Sequence, residues 1–167
     1  MKPVLETDRL RLIPFETIDL ELLYQTLTNP FVREYLMDDE IIPYEKAKEF
    51  ILTNEQSFIN SGWGLWKLQL KKENDFAGFV GLWRFFGEEQ PQLLYALLPN
   101  QIKNGYAAEA SKAVIKYAFN ELNFKYITAA CDTPNVASRK VCERLGMKEI
   151  DEKEINGKKT TFFKLDN

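Results

Sequence analysis

The fold of this chain is decided by one stretch, YALLPNQIKNGYAAEA, which covers residues 95–110. The apolar residues before Pro99 are typical of a buried strand, and the pattern from Gly105 to Leu122 predicts the strongest helix in the chain. A short loop that contains Lys103 joins the two. The stretch therefore predicts a strand that passes through a loop into a helix.

This loop has the features of an anion-binding site. Gly105 permits a backbone conformation that turns several N–H groups toward one point, and the helix start adds free N–H donors with a partial positive charge. Lys103 adds a full charge, so the loop suits a group the size of pyrophosphate. It is neither a P-loop nor a Rossmann turn, because the glycine spacings of both are absent. The alternative is that Gly105 only shapes a strand-to-helix turn.

A second informative segment, DTPNVASRKVCERLGM, covers residues 132–147. Asn135 and Ser138 are three residues apart, so they share a face of the predicted helix. An asparagine offers both a donor and an acceptor, which suits a ligand that carries amides. The alternative is that Thr133 or Asn135 only caps the helix.

The rest of the chain is predicted as short strands and helices without a repeat or a linker. Alternating apolar residues predict strands, and apolar residues at helical spacing predict helices. Pro30 is expected to interrupt the first helix. Residues 28–44 and 84–91 are expected to be loops. The predicted strands are residues 8–15, 63–70, 76–85, 92–98, 126–131, 147–155 and 160–165, and the predicted helices are residues 19–27, 43–61, 105–122 and 134–145.

This order of elements predicts a mixed α/β fold with a mainly antiparallel sheet. The strands at 92–98 and 126–131 are expected to be parallel, because a helix connects them and a parallel pair needs such a crossover. Asn156-Gly157 predicts the turn of a closing hairpin. With 167 residues, the chain is expected to form a single domain over 1–167.

Composition excludes several kinds of chemistry, since the chain has no histidine. A catalytic Ser-His-Asp or Cys-His system is therefore excluded, and no metal site is expected. Acid–base catalysis must use carboxylates, Tyr, Cys, Lys, backbone groups or water. Cys131 and Cys142 are too few for a disulfide framework and are predicted to be reduced. No signal peptide or apolar run of about 20 residues is present, so a cytoplasmic protein without membrane contact is expected.

Charge is distributed unevenly along the chain. Residues 1–60 hold 6 basic and 12 acidic side chains, whereas residues 61–167 hold 16 basic and 13 acidic ones. Chance and solvated helix faces can explain this difference. The functional alternative is an anionic ligand on the C-terminal part and a cationic one near the N-terminal part. Neither part is basic enough to predict binding of nucleic acid.

Together, three elements of the sequence resemble the GNAT family of acetyl-CoA-dependent N-acetyltransferases. The elements are Leu5 to Leu12, Tyr95 to Ala110, and Asn135 to Gly146. The resemblance is greatest to the branch of ribosomal-protein N-terminal acetyltransferases (RimJ/RimL-type). It implies a sheet whose central parallel strands splay apart around acetyl-CoA, with helices on both faces.

The resemblance also implies which residues bind the cofactor, and where this chain departs from the family. Many members carry Glu where Gln92 stands and Tyr where Cys142 stands. Arg139, or Lys140 beside it, is expected near the adenosine 3′-phosphate. The residues implied to bind acetyl-CoA are Leu97, Leu98, Ile102, Lys103, Asn104, Gly105, Tyr106, Ala107, Asn135, Ser138 and Arg139.

The expected chemistry is direct acetyl transfer to a primary amine in a ternary complex. Ser138 is the candidate for assisting the leaving sulfur, with Cys142 as the alternative, and Tyr95 or Asp132 is the candidate for moving the amine proton. A protein N-terminal α-amine is the favoured acceptor. The alternatives are small amines such as aminoglycosides or polyamines, or an acyl-CoA sensor without catalysis.

The acceptor is expected between the N-terminal helices and the strands at 63–98, and the protein is expected to be a monomer or homodimer. Five aromatic residues are candidates for lining the acceptor site, although core packing is the alternative role for most of them. They are Trp63, Trp66, Trp83, Phe85 and Phe86.

Overall fold

Eight strands and five helices occupy residues 2–85 and 87–167, the part of the chain that the computed structural model describes. No helix in this part is long and apolar enough to cross a membrane. The strands are β1 (Leu5–Glu6), β2 (Leu10–Pro14), β3 (Leu65–Leu70), β4 (Phe76–Trp83), β5 (Gln92–Leu97), β6 (Tyr126–Asp132), β7 (Lys148–Ile155) and β8 (Lys158–Asp166). The helices are α1 (Leu20–Thr28), α2 (Pro30–Leu36), α3 (Tyr44–Ser61), α4 (Tyr106–Asn120) and α5 (Val136–Arg144).

All eight strands form one sheet in the order β1-β2-β3-β4-β5-β6-β8-β7. Every neighbouring pair is antiparallel except β5 and β6, which are parallel and are joined through α4. The predicted fold class and the predicted parallel pair are therefore confirmed. The closing hairpin also turns at Asn156 and Gly157, whose φ angles of 52° and 79° suit the predicted two-residue turn.

Helices cover both faces of this sheet. On one face, α1 to α3 enclose a core that includes Phe15, Ile51 and Phe79. On the other face, α4 and α5 pack on a second core that includes Val114 and Ile127. Side chains of a strand alternate between the two layers, so Leu93, Tyr95 and Leu97 point toward α4 and α5, whereas Leu94 and Ala96 point toward α1 to α3.

Pro30 interrupts the first helix as predicted, but the prediction of a loop over residues 28–44 was wrong, because a second helix begins at Pro30. Pro30 is the first residue of α2, where its missing N–H costs nothing and its fixed φ suits the helix. The Asn29 side chain caps the helix by accepting hydrogen bonds from the N–H groups of Phe31 at 3.0 Å and Val32 at 3.4 Å. The same proline that ends α1 therefore starts α2.

Two of the tryptophans expected near the acceptor lie in the core. Trp66 is completely buried, packs against Phe58, and donates its indole N–H to the Pro3 carbonyl at 2.8 Å. Trp63 is buried in the same cluster. Trp83 and Phe85 are half-buried, and Trp83 packs edge-on against Phe50. Phe86 lies outside the described residues.

Candidate active site

A cleft opens in the sheet where the two parallel strands diverge. Pairing between β5 and β6 stops at Leu93 and Ala129, although β5 continues to Leu97 and β6 to Asp132. The space between them is about 690 Å³. Side chains from α2, from the loop before α4, from α4 and from α5 complete its lining. The cleft therefore passes between the two helical layers.

Backbone groups of β5 are exposed in this cleft. Leu98 donates its N–H to the Ala77 carbonyl on the β4 side at 3.0 Å. Bonded residues alternate in an antiparallel ladder, so Tyr95 and Leu97 direct their N–H and C=O groups toward β6, where pairing has ended. Leu97 lines the cleft as expected, but Leu98 does not, because its N–H is used by β4.

The loop before α4 presents a row of free N–H groups. Lys103 and Gly105 have φ angles of 66° and 81°, a left-handed conformation that turns the chain sharply twice. Within the described part of the chain, the N–H groups of residues 102–108 have no hydrogen-bond partner. Asn104 does not line the cleft, because its side chain donates to the Gln101 carbonyl at 3.3 Å. The expected residues Ile102, Lys103, Gly105, Tyr106 and Ala107 do line it.

The opening motif of the chain holds this loop in place. Glu109, in the first turn of α4, accepts hydrogen bonds from the Thr7 hydroxyl at 2.6 Å and the Arg9 N–H at 3.0 Å, and its carboxylate pairs with the Arg9 guanidinium at 2.7 Å. That guanidinium also lies 4.6 Å from the centre of the Tyr106 ring. Burial opposes ionisation of Glu109, but these partners outweigh it and lower the pKa of its carboxyl.

Sequence reasoning missed this anchor. Thr7 and Arg9 are about a hundred positions from Glu109, and no spacing rule connects residues that far apart.

Two predicted residues of α5 face the cleft, but a third does not. Asn135 caps the helix, because its Oδ1 accepts the N–H of Ser138 at 3.2 Å. Its amide N–H groups and one lone pair of Oδ1 are left for a ligand, so the capping and binding roles are compatible. Arg139 follows Ser138 by one position, about 100° around the helix, and is absent from the cleft lining. Lys140 and Arg144 line the cleft instead.

Tyr95 ties β5 to α5 across the cleft. Its hydroxyl donates to the Ser138 carbonyl at 2.9 Å and lies 2.9 Å from Ser138 Oγ and 3.6 Å from Cys142 Sγ. Burial and the nearby Cys142 raise the pKa of Tyr95 far above its usual range. The tyrosine therefore keeps its proton and acts as a hydrogen-bond donor.

The two cysteines are free thiols beside this tyrosine. Burial raises the pKa of Cys142, and burial together with Cys142 raises the pKa of Cys131 to about 11. Both thiols are consequently neutral near pH 7.

Asp132 and Glu34 are the carboxylates that line the cleft, within the part of the chain that the structure describes. Asp132 ends β6, and burial raises the pKa of its carboxyl, with Lys158 opposing and Asp38 adding to the effect. Lys158, at the start of β8, pairs with Asp38 at 3.2 Å. Glu34 comes from α2, the helix that sequence reasoning missed.

Charges in the cleft are therefore separated. Lys103, Lys140 and Arg144 lie on the side of α4 and α5, here called the cation side. Among the described residues, none of the three has an ion-pair partner within 4.0 Å. Glu34 belongs to α2, and Asp132 faces the same side, because the preceding strand residue Cys131 faces the core under α4 and α5 and neighbouring strand residues alternate; this is here called the carboxylate side. One cleft thus suits an anion on one side and a cation on the other.

A carboxylate also lies beside Gln92. Gln92 is only 1% exposed, and its amide donates to both carboxylate oxygens of Glu88, at 2.7 and 2.8 Å. Many members of the GNAT family, which the sequence resembles, carry a glutamate at the position of Gln92. Here Glu88, from the loop at 84–91, places a carboxylate next to that position. Neither residue belongs to the cleft lining.

Comparison with known proteins agrees with this geometry. The family model described as "Acetyltransferase (GNAT) domain" matches residues 9–148. The uncharacterized N-acetyltransferase YnaD of Bacillus subtilis is 28% identical over 142 residues, which cover 85% of this chain and 81% of that protein. The uncharacterized protein YkkB of Bacillus subtilis is 32% identical over 149 residues, which cover 87% and 86% of the two chains.

Solved structures share the fold. RimL, a ribosomal L7/L12 alpha-N-protein acetyltransferase solved in complex with coenzyme A, superposes with a TM-score of 0.82 over 98% of each chain, at 13% sequence identity. At that identity the likeness shows the fold alone. The family model spans most of the chain, however, and includes the strand, the loop and the helix that form the cleft. This chain belongs to the GNAT family of acetyltransferases, which use acetyl-CoA, and it is an acyltransferase.

Proposed function

We propose that this protein transfers the acetyl group of acetyl-CoA to the α-amine at the N-terminus of a polypeptide, with both substrates bound at once. The observation that carries the proposal is the charge separation in the cleft, with Lys103, Lys140 and Arg144 on one side and Glu34 and Asp132 on the other. An anionic cofactor and a cationic amine can therefore enter from opposite helical layers and meet between β5 and β6. The chain acts as one domain.

The cation side fits the parts of acetyl-CoA. The free N–H groups of residues 102–108 suit the pyrophosphate, assisted by Lys103. The unpaired backbone groups of Tyr95 and Leu97 suit the amides of the pantetheine arm, and the Asn135 amide adds a donor. Lys140 and Arg144 replace Arg139 as the partners that we assign to the 3′-phosphate.

Acetyl-CoA supplies an acetyl thioester that is already activated for attack by an amine. The amine nitrogen forms a bond to the acetyl carbon, the carbon–sulfur bond breaks, and the amine loses a proton. A backbone N–H of β5 facing the cleft can stabilise the carbonyl oxygen. Holding both reactants in one cleft supplies much of the rate enhancement.

The side chains of the cleft divide the proton transfers between them. Tyr95 keeps its proton, so we assign it the positioning of Ser138 rather than removal of the amine proton. Asp132 takes that proton, since its raised pKa makes it a stronger base than an ordinary aspartate. The Ser138 hydroxyl donates to the departing sulfur, because it faces the cleft beside Tyr95.

An α-amine suits these groups better than a lysine amine. The α-amine has a pKa of about 8, so part of it is neutral at pH 7, whereas a lysine amine with a pKa of about 10.4 needs a stronger base. The chain has no histidine, and the base that we assign is a carboxylate. The chemistry therefore favours the less basic acceptor. The RimL structure belongs to a protein described as an α-N-acetyltransferase, which agrees with this choice.

The test is release of free CoA from acetyl-CoA in the presence of candidate acceptors. We expect peptide amides without lysine to be acetylated at the α-amine, located by mass spectrometry, and polyamines or aminoglycosides to react more slowly. The Ser138→Ala variant should lose turnover and keep its affinity for CoA. Faster turnover of the small amines would contradict the proposed acceptor. If the protein bound CoA tightly but formed no free CoA from acetyl-CoA with any amine, it would be a sensor instead.

A further inference from the structure

The carboxylate side of the cleft carries two aromatic side chains that are partly exposed. Phe31 and Tyr35 lie four residues apart on α2, so they share one face of the helix. They are 46% and 38% exposed, and both line the cleft. Val136, the first residue of α5, also lines it and is 56% exposed. Large apolar side chains exposed in a cleft are typical of a binding surface.

The helix that bears these aromatic residues is fixed at both ends. Asn29 caps its start, and Val32 is buried at 5% exposure. At its end, Arg33 donates to the Thr28 carbonyl at 3.1 Å and pairs with Asp39 at 3.1 Å. The backbone that carries Phe31 and Tyr35 is therefore held in place before a ligand arrives, which lowers the entropic cost of binding there.

Charge restricts what can bind beside the aromatic pair. Glu34 lies between Phe31 and Tyr35 in sequence and lines the same cleft, and Asp132 lines it from β6. Asp38, Asp39 and Glu40 follow shortly after α2, where Asp38 pairs with Lys158 and Asp39 with Arg33. An acidic group on the ligand would meet this negative charge at close range, whereas an amine or a basic residue would be attracted.

From this juxtaposition we infer that the acceptor is a polypeptide N-terminus whose first residue is apolar and whose next residues are not acidic. This inference rests on the proposed function and specifies its substrate. The first side chain packs on Phe31 and Tyr35, the α-amine points into the gap between β5 and β6, and Glu34 attracts the amine or a basic residue behind it. Phe31 and Tyr35 are thus specificity-determining residues and take no part in the chemistry.

The experiment compares tetrapeptide amides that differ only in the first residue. Each peptide has the form X-Gly-Ser-Arg-amide, with Phe, Leu, Ser or Glu as X, so the α-amine is the sole acceptor. We expect kcat/KM for the Phe and Leu peptides to exceed that of the Ser peptide by roughly tenfold or more, because an apolar side chain is buried. The Glu peptide should be the poorest substrate.

Variants separate the aromatic pair from the rest of the site. In the double variant Phe31→Ser/Tyr35→Ser, kcat/KM for the Phe and Leu peptides should fall to the value for the Ser peptide, while the affinity for CoA stays unchanged. Ile59→Ser is the matched control, since Ile59 is an exposed apolar residue of α3, 67% accessible and absent from the cleft lining. This control should keep the preference.

The possible outcomes distinguish the inference from the proposed function. Equal rates for all four first residues would overturn the inference and leave N-terminal acetylation in place. A preference that survives the double variant would also overturn it. Failure of every peptide, with turnover of small amines, would remove the proposed acceptor and the inference together.

Discussion

The cation side of the cleft includes a loop whose binding groups are backbone N–H groups of neighbouring residues, whereas the carboxylate side is built from side chains of distant segments. Residues 102–108 present their N–H groups within a single turn of chain. Glu34, Asp132 and Lys158 come from a helix, a strand end and a hairpin, and they meet only through folding. Residues that are close in sequence can therefore form a cofactor-binding loop, whereas the groups that select the acceptor come together only through tertiary contacts.

The largest effect is expected at the carboxylate side, from Asp132→Asn. Loss of the proton acceptor should lower kcat by about 10²-fold or more. The carboxylate must be ionised to accept a proton, and its pKa is raised above 3.8, so the wild-type rate should fall as the pH drops through that raised pKa. The variant should lack this acidic limb in a pH–rate profile. Asp166→Asn, on a side chain that is 77% exposed, is the control and should change neither quantity.

One outcome would show that Asp132 is not the base that accepts the amine proton. If Asp132→Asn kept both its rate and its acidic limb, another group would accept the proton, and the carboxylate side would serve only to attract the amine.

The next effect is expected at the cation side, from Gly105→Ala. A side chain in the left-handed region costs about 1–2 kcal/mol, and each 1.4 kcal/mol corresponds to a tenfold change in an equilibrium constant. The loop should relax away from the conformation that presents its N–H groups, so the Kd for CoA should rise roughly tenfold. Gly157→Ala is the matched control, because the φ angle of Gly157 is 79° and that of Gly105 is 81°, and both positions have room for a Cβ.

Calorimetry with CoA and thermal unfolding check this prediction together. Both variants should lose similar stability, and only Gly105→Ala should lose affinity. Equal loss of affinity would contradict the local role of the loop.

A smaller effect is expected from Glu109→Gln, which weakens the anchor between the opening motif and α4. Hydrogen bonds to a charged group contribute about 1.5–3 kcal/mol, and partial exposure of the pair reduces this to about 1 kcal/mol. The pKa of Glu109 is lowered by folding, so its contribution is present above the ordinary value of 4.5 and is lost as the pH falls through the folded-state pKa.

Urea unfolding at pH 7 and below pH 4 measures this difference. Wild type should be more stable than the variant at pH 7, and the two should converge in acid. Glu143 is exposed on α5, so the Glu143→Gln variant is the control and should have the stability of wild type at both pH values. A pH-independent difference between wild type and Glu109→Gln would show that the ionised carboxylate contributes nothing.

The smallest effect is expected from Lys158→Met, again at the carboxylate side. Lys158 lowers the pKa of Asp132, so its removal should move the acidic limb of the rate profile to higher pH by less than about one unit, since exposed charges interact weakly. Lys164→Met, on the same strand, is the control. An acidic limb that moved to lower pH would contradict the assignment of that limb to Asp132.

Sequence patterns were sufficient to predict the features that depend on interactions between residues close in the chain. The crossover at α4 forced β5 and β6 to be parallel, and the glycine loop between them was visible as a loop. Asn135 caps α5 by accepting the Ser138 N–H, the role that the sequence offered as the alternative, and both residues line the cleft. Pro30 misled the prediction, because a proline is equally suited to end one helix and to begin the next.

Local sequence patterns predicted the fold class, the parallel pair and the loop before α4, because periodicity and turn chemistry act over a few residues. Three features depend on tertiary contacts instead: Glu109 anchors this loop to Arg9, Tyr95 holds Ser138, and α2 brings aromatic and acidic side chains to the cleft. These contacts join segments 40 or more positions apart in most cases. Their formation depends on how the two helical layers pack on the sheet, and no local pattern encodes that packing.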